Sequence, residues 1–251
     1  MVEYPEIDRY AGLSSPLHRW EPRAKLVAIL CLIFSVVLVP NLKMALVGLA
    51  IALLLVFISR IPFGFVLKHL AGVSMFIFPL FVIILFTYHQ GDEIARFYFL
   101  TVTSGGVEYA SLIAVRALAA VILIFPMIGT MRFDTAMKAL GRLKLPNKLV
   151  QMIMFTYRYI FVLIEEVQVM FRVLTSRGFS RGMNIYTMST MGKLIGVLFI
   201  RSYGRAERVY NAMVSRGYEG NIRTLVESKM HKTDLLKSAI LIAIAIALNV
   251  F

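Results

Sequence analysis

Apolar residues along the chain form continuous blocks that are long enough to be membrane-spanning helices. Strands of a membrane barrel would instead alternate apolar and polar residues over segments of about 10 residues. The first two blocks are near the lower length limit for crossing about 30 Å of hydrocarbon at 1.5 Å per residue. The pattern predicts about five transmembrane helices. The blocks cover residues 24–39, 44–58, 65–88, 107–130 and 235–251.

A stretch of about 100 residues between the fourth and fifth blocks has mixed polarity and predicts long amphipathic helices. A short helix is expected over 132–145, a second from an N-cap at Asn147 to Arg177, and a third over about 187–216. Gly178 and Gly217 follow the two longer helices and favour helix termination. The predicted fold is therefore an all-α integral membrane protein. Its predicted regions are a leader (1–23), spans one to four (24–130), a helical region (131–233) and a last span (234–251).

The positive charge is concentrated in the helical region. The 251 residues are 59% hydrophobic and 16% charged, with a net charge of +13, a composition typical of membrane proteins. Residues 131–233 contain 17 of the 27 lysines and arginines but 6 of the 14 acidic residues. Because basic loops stay in the cytosol, this region and the leader are predicted to be cytosolic, and the connection at 89–106 and the C-terminus outside. Nucleic-acid binding is disfavoured, since the basic residues are interleaved with apolar helical positions.

Two copies of one short motif end the two long amphipathic helices. Ser176-Arg177-Gly178-Phe179 recurs as Ser215-Arg216-Gly217-Tyr218. A single Arg-Gly pair could be an ordinary helix end, because a late Arg favours the helix dipole and Gly terminates helices. The repetition, with shared apolar spacing before each copy, indicates two equivalent contacts with a partner. Arginine suits such a contact because its planar guanidinium group can donate hydrogen bonds to a carboxylate and to backbone carbonyls at the same time.

Other polar positions give weaker signals. Arg201, Arg205 and Arg208 form a stripe on one helix face, which a solvated or headgroup-facing surface would also explain. Glu165 and Glu166 are expected to pair with Arg158 and Arg172 of their own helix. Arg116 lies within the fourth span, where an ionisable residue is either functional or snorkels to the interface. In the last span, Ala239, Ala243 and Ala247 form a small-residue stripe suited to close helix packing.

No set of residues predicts catalysis or metal binding. The four histidines are far apart, a single cysteine is present, and nucleotide-loop motifs are absent. A membrane-embedded enzyme would need a convergent set of such residues. A stand-alone secondary transporter is the alternative function, although that class usually shows repeated halves around a polar midplane site.

Several segments together resemble the transmembrane T-components of energy-coupling factor transporters, most closely the cobalt-type CbiQ branch. The leader segments are Ile7-Asp8-Arg9-Tyr10-Ala11, Ser15-Pro16-Leu17-His18-Arg19 and Pro22-Arg23-Ala24-Lys25-Leu26. The later segments are Phe155-Thr156-Tyr157-Arg158-Tyr159-Ile160, Arg201-Ser202-Tyr203-Gly204-Arg205-Ala206-Glu207-Arg208-Val209 and the two Ser-Arg-Gly copies.

The resemblance implies a non-catalytic coupling subunit of an ATP-driven importer in a prokaryotic cell membrane. Region 131–233 would be the coupling-helix region, in which Arg177 and Arg216 each dock into one of two cytosolic ABC-type ATPase subunits. Phe179, Tyr218 and the arginine stripe would support these contacts. ATP would be bound by the partners, and this chain would bind no cofactor or metal. A membrane substrate-capture protein, with or without a small accessory membrane protein, would bind the cargo, which the leader suggests is cobalt or another transition-metal ion.

Overall fold

The computed structural model describes most of the chain. The described residues are 8, 10–88, 92–97, 100–143, 145–180, 182–220 and 231–250, with the backbone alone for 93–97 and 100–102. Ile7 and Arg9 of the leader motif and Phe251 at the end of the last predicted span lie outside these residues.

Helices dominate the described residues and confirm the all-α class. Most begin and end within a few residues of the predicted bounds, because prolines and polar residues separate the apolar runs. The helices are α1 (Pro22–Leu38), α2 (Leu42–Ser59), α3 (Phe63–Thr87), α4 (Ser104–Ile128), α5 (Phe133–Arg142), α6 (Asn147–Ser176), α7 (Ile185–Val214) and α8 (Lys232–Val250).

Four of the described helices are long and apolar enough to cross a membrane: α2, α3, α4 and α8. Their best 18-residue windows have mean hydropathies of 2.5, 2.5, 2.4 and 1.8. Helix α1 occupies the first predicted span and has 17 residues, or about 26 Å of helix. Its side chains Ile29, Leu32 and Val36 are fully buried. The protein is therefore an α-helical membrane protein.

The polar connection between α3 and α4 contains a feature that the sequence interpretation did not predict. Strands β1 (Glu93–Phe97) and β2 (Leu100–Thr103) pair as an antiparallel hairpin, with Phe97 opposite Leu100. Thr103 then begins α4, because its hydroxyl accepts a hydrogen bond from the amide of Gly106 at 3.2 Å. The β-branched Thr101, Val102 and Thr103 are the sequence signal for the second strand.

The chain divides into two compact units. Unit 1 comprises the described residues between Leu140 and Glu227, and unit 2 those of Glu6–Ala139 and Ser228–Phe251. In unit 2, α1 packs against α8 and α4, while α2 and α3 each pack against α4. Apolar side chains from α1, α2, α4 and α8 form its core.

Hydrogen bonds join α1 and α8 inside this core. The hydroxyl of Ser35 donates to the carbonyl of Ala245 at 2.5 Å, and the amide of Asn249 donates to the Ser35 hydroxyl at 2.7 Å. The buried face of α8 contains Asp234, Ser238, Leu241, Ala245 and Leu248. The predicted alanine stripe is exposed instead and does not face α1: Ala239, Ala243 and Ala247.

Candidate functional site

The first Ser-Arg-Gly copy ends α6 with a defined pattern of backbone hydrogen bonds. The amide of Phe179 donates to the carbonyl of Leu174 at 3.1 Å, and the amide of Gly178 donates to the carbonyl of Thr175 at 3.0 Å. Arg177 is the C-cap residue between them. This pair of bonds is the Schellman motif, which satisfies carbonyls that the end of a helix leaves unpaired.

The second copy ends α7 in the same way. The amide of Tyr218 donates to the carbonyl of Met213 at 3.1 Å, and the amide of Gly217 donates to the carbonyl of Val214 at 2.9 Å. These bonds join the positions that correspond to those of the first copy. The repeated sequence therefore folds into a repeated local structure.

Both glycines are required by the backbone. Gly178 has a φ of +80° and Gly217 a φ of +79°, in the left-handed region that other residues enter only at a cost. A Cβ atom placed on either glycine would meet nothing within 4 Å. Steric room is thus available at both positions, and backbone conformation alone selects glycine.

The arginine is the polar side chain that each copy presents to solvent. Arg177 and Arg216 are both exposed. Each preceding serine, Ser176 and Ser215, donates its hydroxyl at 2.9 Å to the carbonyl four residues earlier in its own helix. The serine hydroxyls are thus bonded within their own helices, while the two arginine side chains lie at the surface.

A polar contact ties the start of α6 to the residues that follow α7. The hydroxyl of Tyr218 donates to the side-chain oxygen of Gln151. The amide nitrogen of Gln151 donates in turn to the carbonyl of Gly220 at 2.7 Å. The aromatic residue of the second copy is therefore anchored to α6 by its hydroxyl, a group that Phe179 of the first copy lacks.

A second contact joins the two helices further along α6. Glu166 accepts from Arg201 at 3.3 Å and from Arg205 at 3.0 Å. The Glu166 side chain is 13% exposed, so this carboxylate is largely shielded and is held by two cations of α7. The expected pairing of Glu166 with arginines of its own helix is wrong, because the stripe on α7 supplies nearer partners. Arg208, the third member of the stripe, is exposed.

The two contacts show that α6 and α7 run antiparallel. Gln151 near the start of α6 meets residues beyond the end of α7, whereas Glu166, later in α6, meets earlier residues of α7. Arg216 is therefore near the start of α6, and Arg177 lies just beyond its end. The stretch from Gln151 to Arg177 is about 40 Å of helix at 1.5 Å per residue. The two copies thus lie at opposite ends of the helix pair, far enough apart to contact separate partner molecules.

Between the two polar contacts, α6 and α7 enclose an apolar groove of about 580 Å³. Most of its lining side chains are aliphatic or aromatic, and the groove separates the helices over several turns. Its lining residues are Phe155, Thr156, Tyr159, Ile160, Leu163, Ser202, Arg205, Ala206, Val209 and Met213.

Arg116 has a structural partner in unit 2. Its guanidinium donates to the carbonyl of Val39, the C-cap residue of α1. A cation at a helix C-terminus satisfies an unpaired carbonyl and interacts favourably with the helix dipole. Its Nε atom is buried without a hydrogen-bond partner among the described residues. Arg116 thus fixes the end of α1 against α4, and its role as an intramembrane polar site stays a prediction.

Comparison with known proteins identifies the family. The model of the CbiQ family, described as cobalt transport protein, matches residues 13–227. The chain belongs to the CbiQ family. Residues 13–227 include both Ser-Arg-Gly copies and most of the leader motif.

Curated relatives of this CbiQ-family chain include transmembrane proteins of energy-coupling factor transporters. It is 28% identical to EcfT of Bacillus subtilis over 88% of this chain and 87% of the relative. It is 29% identical to EcfT of Thermotoga maritima, over 85% and 81% of the two chains. An uncharacterized protein of Methanocaldococcus jannaschii is 27% identical over 91% and 80%. The chain therefore belongs to a family of transport subunits and is similar over most of its length to the transmembrane T-components of energy-coupling factor transporters.

Sequence reasoning located the two copies but missed what holds them. Gln151 and Glu166 make the contacts between α6 and α7, and neither was singled out for that role. Their partners are 67 and 35 or 39 residues away, beyond the reach of helical spacing rules. The available signal was an acidic residue on one predicted helix and an unpaired arginine stripe on the next. Among the described residues, no group of three or more His, Cys, Asp and Glu side chains could hold a metal ion.

Proposed function

We propose that this T-component transmits the motion of two cytosolic ABC-type ATPase subunits to a membrane protein that captures the cargo. Arg177 and Arg216 each dock into one ATPase subunit, and Phe179 and Tyr218 support the docking surface. The arginine stripe of α7 contributes indirectly, because Arg201 and Arg205 hold α6 and α7 together. ATP is bound by the ATPase subunits, and this chain contributes no cofactor site.

The observation that carries the proposal is the identical capping of two exposed arginines at opposite ends of one helix pair. Two equal ends, about 40 Å apart along α6, match the need of a chain that contacts two similar subunits at once. A single docking point would require only one such end. The names of the EcfT relatives, as energy-coupling factor transporter proteins, support the assignment to this kind of complex.

We propose an orientation from the distribution of charge and a cargo from the description of the family. We place the leader, unit 1 and both arginines in the cytosol, because basic segments are retained there, with the C-terminus outside. The cargo is cobalt or another transition-metal ion, as the description of the CbiQ family suggests. A vitamin is the competing class of cargo. Uptake of radioactive Co²⁺ and of a radioactive vitamin by the reconstituted complex, measured side by side, decides between a metal ion and a vitamin.

The test is ATPase recovery from the detergent-solubilised complex after charge reversal at both arginines. Arg177→Glu and Arg216→Glu should each weaken co-purification of the ATPase subunits, by about 3 kcal/mol per docked arginine, and the double variant should abolish it. Arg172→Glu is the matched control, because it reverses an exposed charge in the last turns of α6 outside the motif. Full ATPase recovery from the double variant would contradict the proposal.

A further inference from the structure

The leader motif has no role in the proposed docking of the ATPase subunits. Its described part, residues 8 and 10–21, contacts the ends of several helices of unit 2. The Tyr10 ring lies 4.8 Å from that of Phe65 at the start of α3. Arg60, which follows α2, donates to the carbonyl of Ser14 at 3.4 Å. Glu21 caps α1 by accepting from the amides of its first turn. The leader thus connects several helices at their ends.

The leader also binds the point where α5 begins. The Asp8 carboxylate accepts from the amide of Phe133, the first residue of α5, at 2.9 Å. Carboxylates at a helix start satisfy unpaired amides and favour the helix dipole. Helix α5 carries the chain out of unit 2, since the boundary falls between Ala139 and Leu140.

Lys25 reinforces the same junction from the start of α1. Its ammonium group is fully buried and donates to the hydroxyl of Thr130 at 2.7 Å and its carbonyl at 3.3 Å. It also donates to the leader carbonyl of Leu17 at 3.2 Å. Thr130 lies between the end of α4 and the start of α5. A buried ammonium group requires such partners, so Lys25 holds the leader and the α4–α5 connection together.

The leader also contacts α8, the first described helix after the chain returns to unit 2. The chain re-enters unit 2 at Ser228, and α8 is the next described helix. The indole N–H of Trp20 donates to the carbonyl of Asp234, in the first turn of α8, at 3.2 Å. Trp20 and Asp234 are each 4% exposed, so water cannot readily replace this bond. The contacts of Asp8, Lys25 and Trp20 therefore hold the start of α5, which leads out of unit 2, and the first turn of α8, the next described helix after the chain returns to unit 2.

We propose that the leader is a clamp that makes the exit of the chain at α5 and its return at α8 move with the spans of unit 2 as one body. Asp8, Trp20 and Lys25 are its positioning residues. A loose junction would absorb displacement of the coupling helices, whereas a clamped one passes it to the spans. The role of the clamp in transmitting motion rests on the proposed function. The contacts that form the clamp lie within this chain and do not depend on that function.

The test measures the distance between the two units in the full-length chain in lipid nanodiscs. Spin labels are placed on cysteines that replace the exposed Leu67 of unit 2 and the exposed Met188 of unit 1, after Cys31→Ser. Pulsed electron resonance gives the distribution of distances. Trp20→Phe keeps an aromatic ring but loses the N–H donor and part of the buried indole volume, and Asp8→Ala removes the cap of α5. Each should raise the population of displaced arrangements roughly tenfold, seen as a broader distribution.

Ser35→Ala is the matched control. It removes two hydrogen bonds between α1 and α8, one to the carbonyl of Ala245 and one from the side-chain amide of Asn249, at a place away from the leader. It should leave the distribution unchanged, and a purely structural loss would affect both variants alike. Lys25→Met should broaden the distribution as well. If Lys25→Met fails to fold, the distance distribution of Trp20→Phe still tests the clamp.

Distributions equal to that of the unsubstituted chain in both Trp20→Phe and Asp8→Ala would overturn the clamp, as would equal broadening by Ser35→Ala. The measurement needs no ATPase subunit. Failure of the arginine variants to release the ATPases would end the docking proposal and leave the clamp intact.

Discussion

The two Ser-Arg-Gly copies have the same local structure but different anchoring. Both end a 30-residue helix with a Schellman motif and an exposed arginine. The second copy is also held from outside, since the Tyr218 hydroxyl bonds Gln151 of α6, whereas Phe179 has no hydroxyl. The four residues of each copy therefore determine how its arginine is presented. Gln151, far away in the sequence, additionally holds the second copy. The shared part is what two similar partners would require.

The largest loss of cap stability is expected from substitution of the glycines, because both have a left-handed backbone conformation. The two copies should lose similar stability. Gly178→Ala and Gly217→Ala should each destabilise their cap by about 1–2 kcal/mol, the cost of placing a side chain in the left-handed region. Amide hydrogen exchange at Phe179 and Tyr218, respectively, should accelerate about tenfold.

Gly192→Ala provides the control for these substitutions. Gly192 lies within α7 with nothing within 4 Å of a Cβ position, so alanine there should stabilise the helix by about 1 kcal/mol. Unequal responses of the two caps, or destabilisation by Gly192→Ala, would show that something other than the left-handed backbone conformation sets cap stability.

A smaller and one-sided effect is expected from Tyr218→Phe, which makes the second copy chemically like the first. Losing the hydroxyl bond to Gln151 should cost about 0.5–1.5 kcal/mol. Hydrogen exchange should accelerate at the Tyr218 amide position and stay unchanged at Phe179, which serves as a reference within the same molecule. Faster exchange at both positions would contradict independent anchoring of the two copies.

Local parts of this fold were predictable from sequence and long-range parts were not. Gly178 and Gly217 mark helix ends because the left-handed conformation is a local requirement. Asn147 was expected to cap α6 but is its first residue, after Pro146, because proline can also occupy a helix start. Asn184 instead caps α7 by accepting from the amide of Thr187 at 2.7 Å.

The contacts that arrange the helices depend on partners far along the chain. Glu166 could have paired within α6, and only the folded arrangement brings Arg201 and Arg205 to it. On α8 the alanine stripe suggested a packing face, but the face with Ser238 and Ala245 is buried, where Ser35 of α1 supplies a hydrogen bond. The leader motif was recognisable in sequence, and its contacts with α3, α5 and α8 required the structure.

The central claim is that each copy contacts an ATPase subunit, and photo-crosslinking at the copies tests it most directly. A photo-reactive amino acid would replace Ser176 or Ser215, which leaves both arginines in place, with Lys193 of α7 as the exposed control position. The account predicts a crosslink to one ATPase subunit from each serine position, to two when both are replaced, and none from position 193. Crosslinking to ATPase from position 193 but from neither serine position would contradict it.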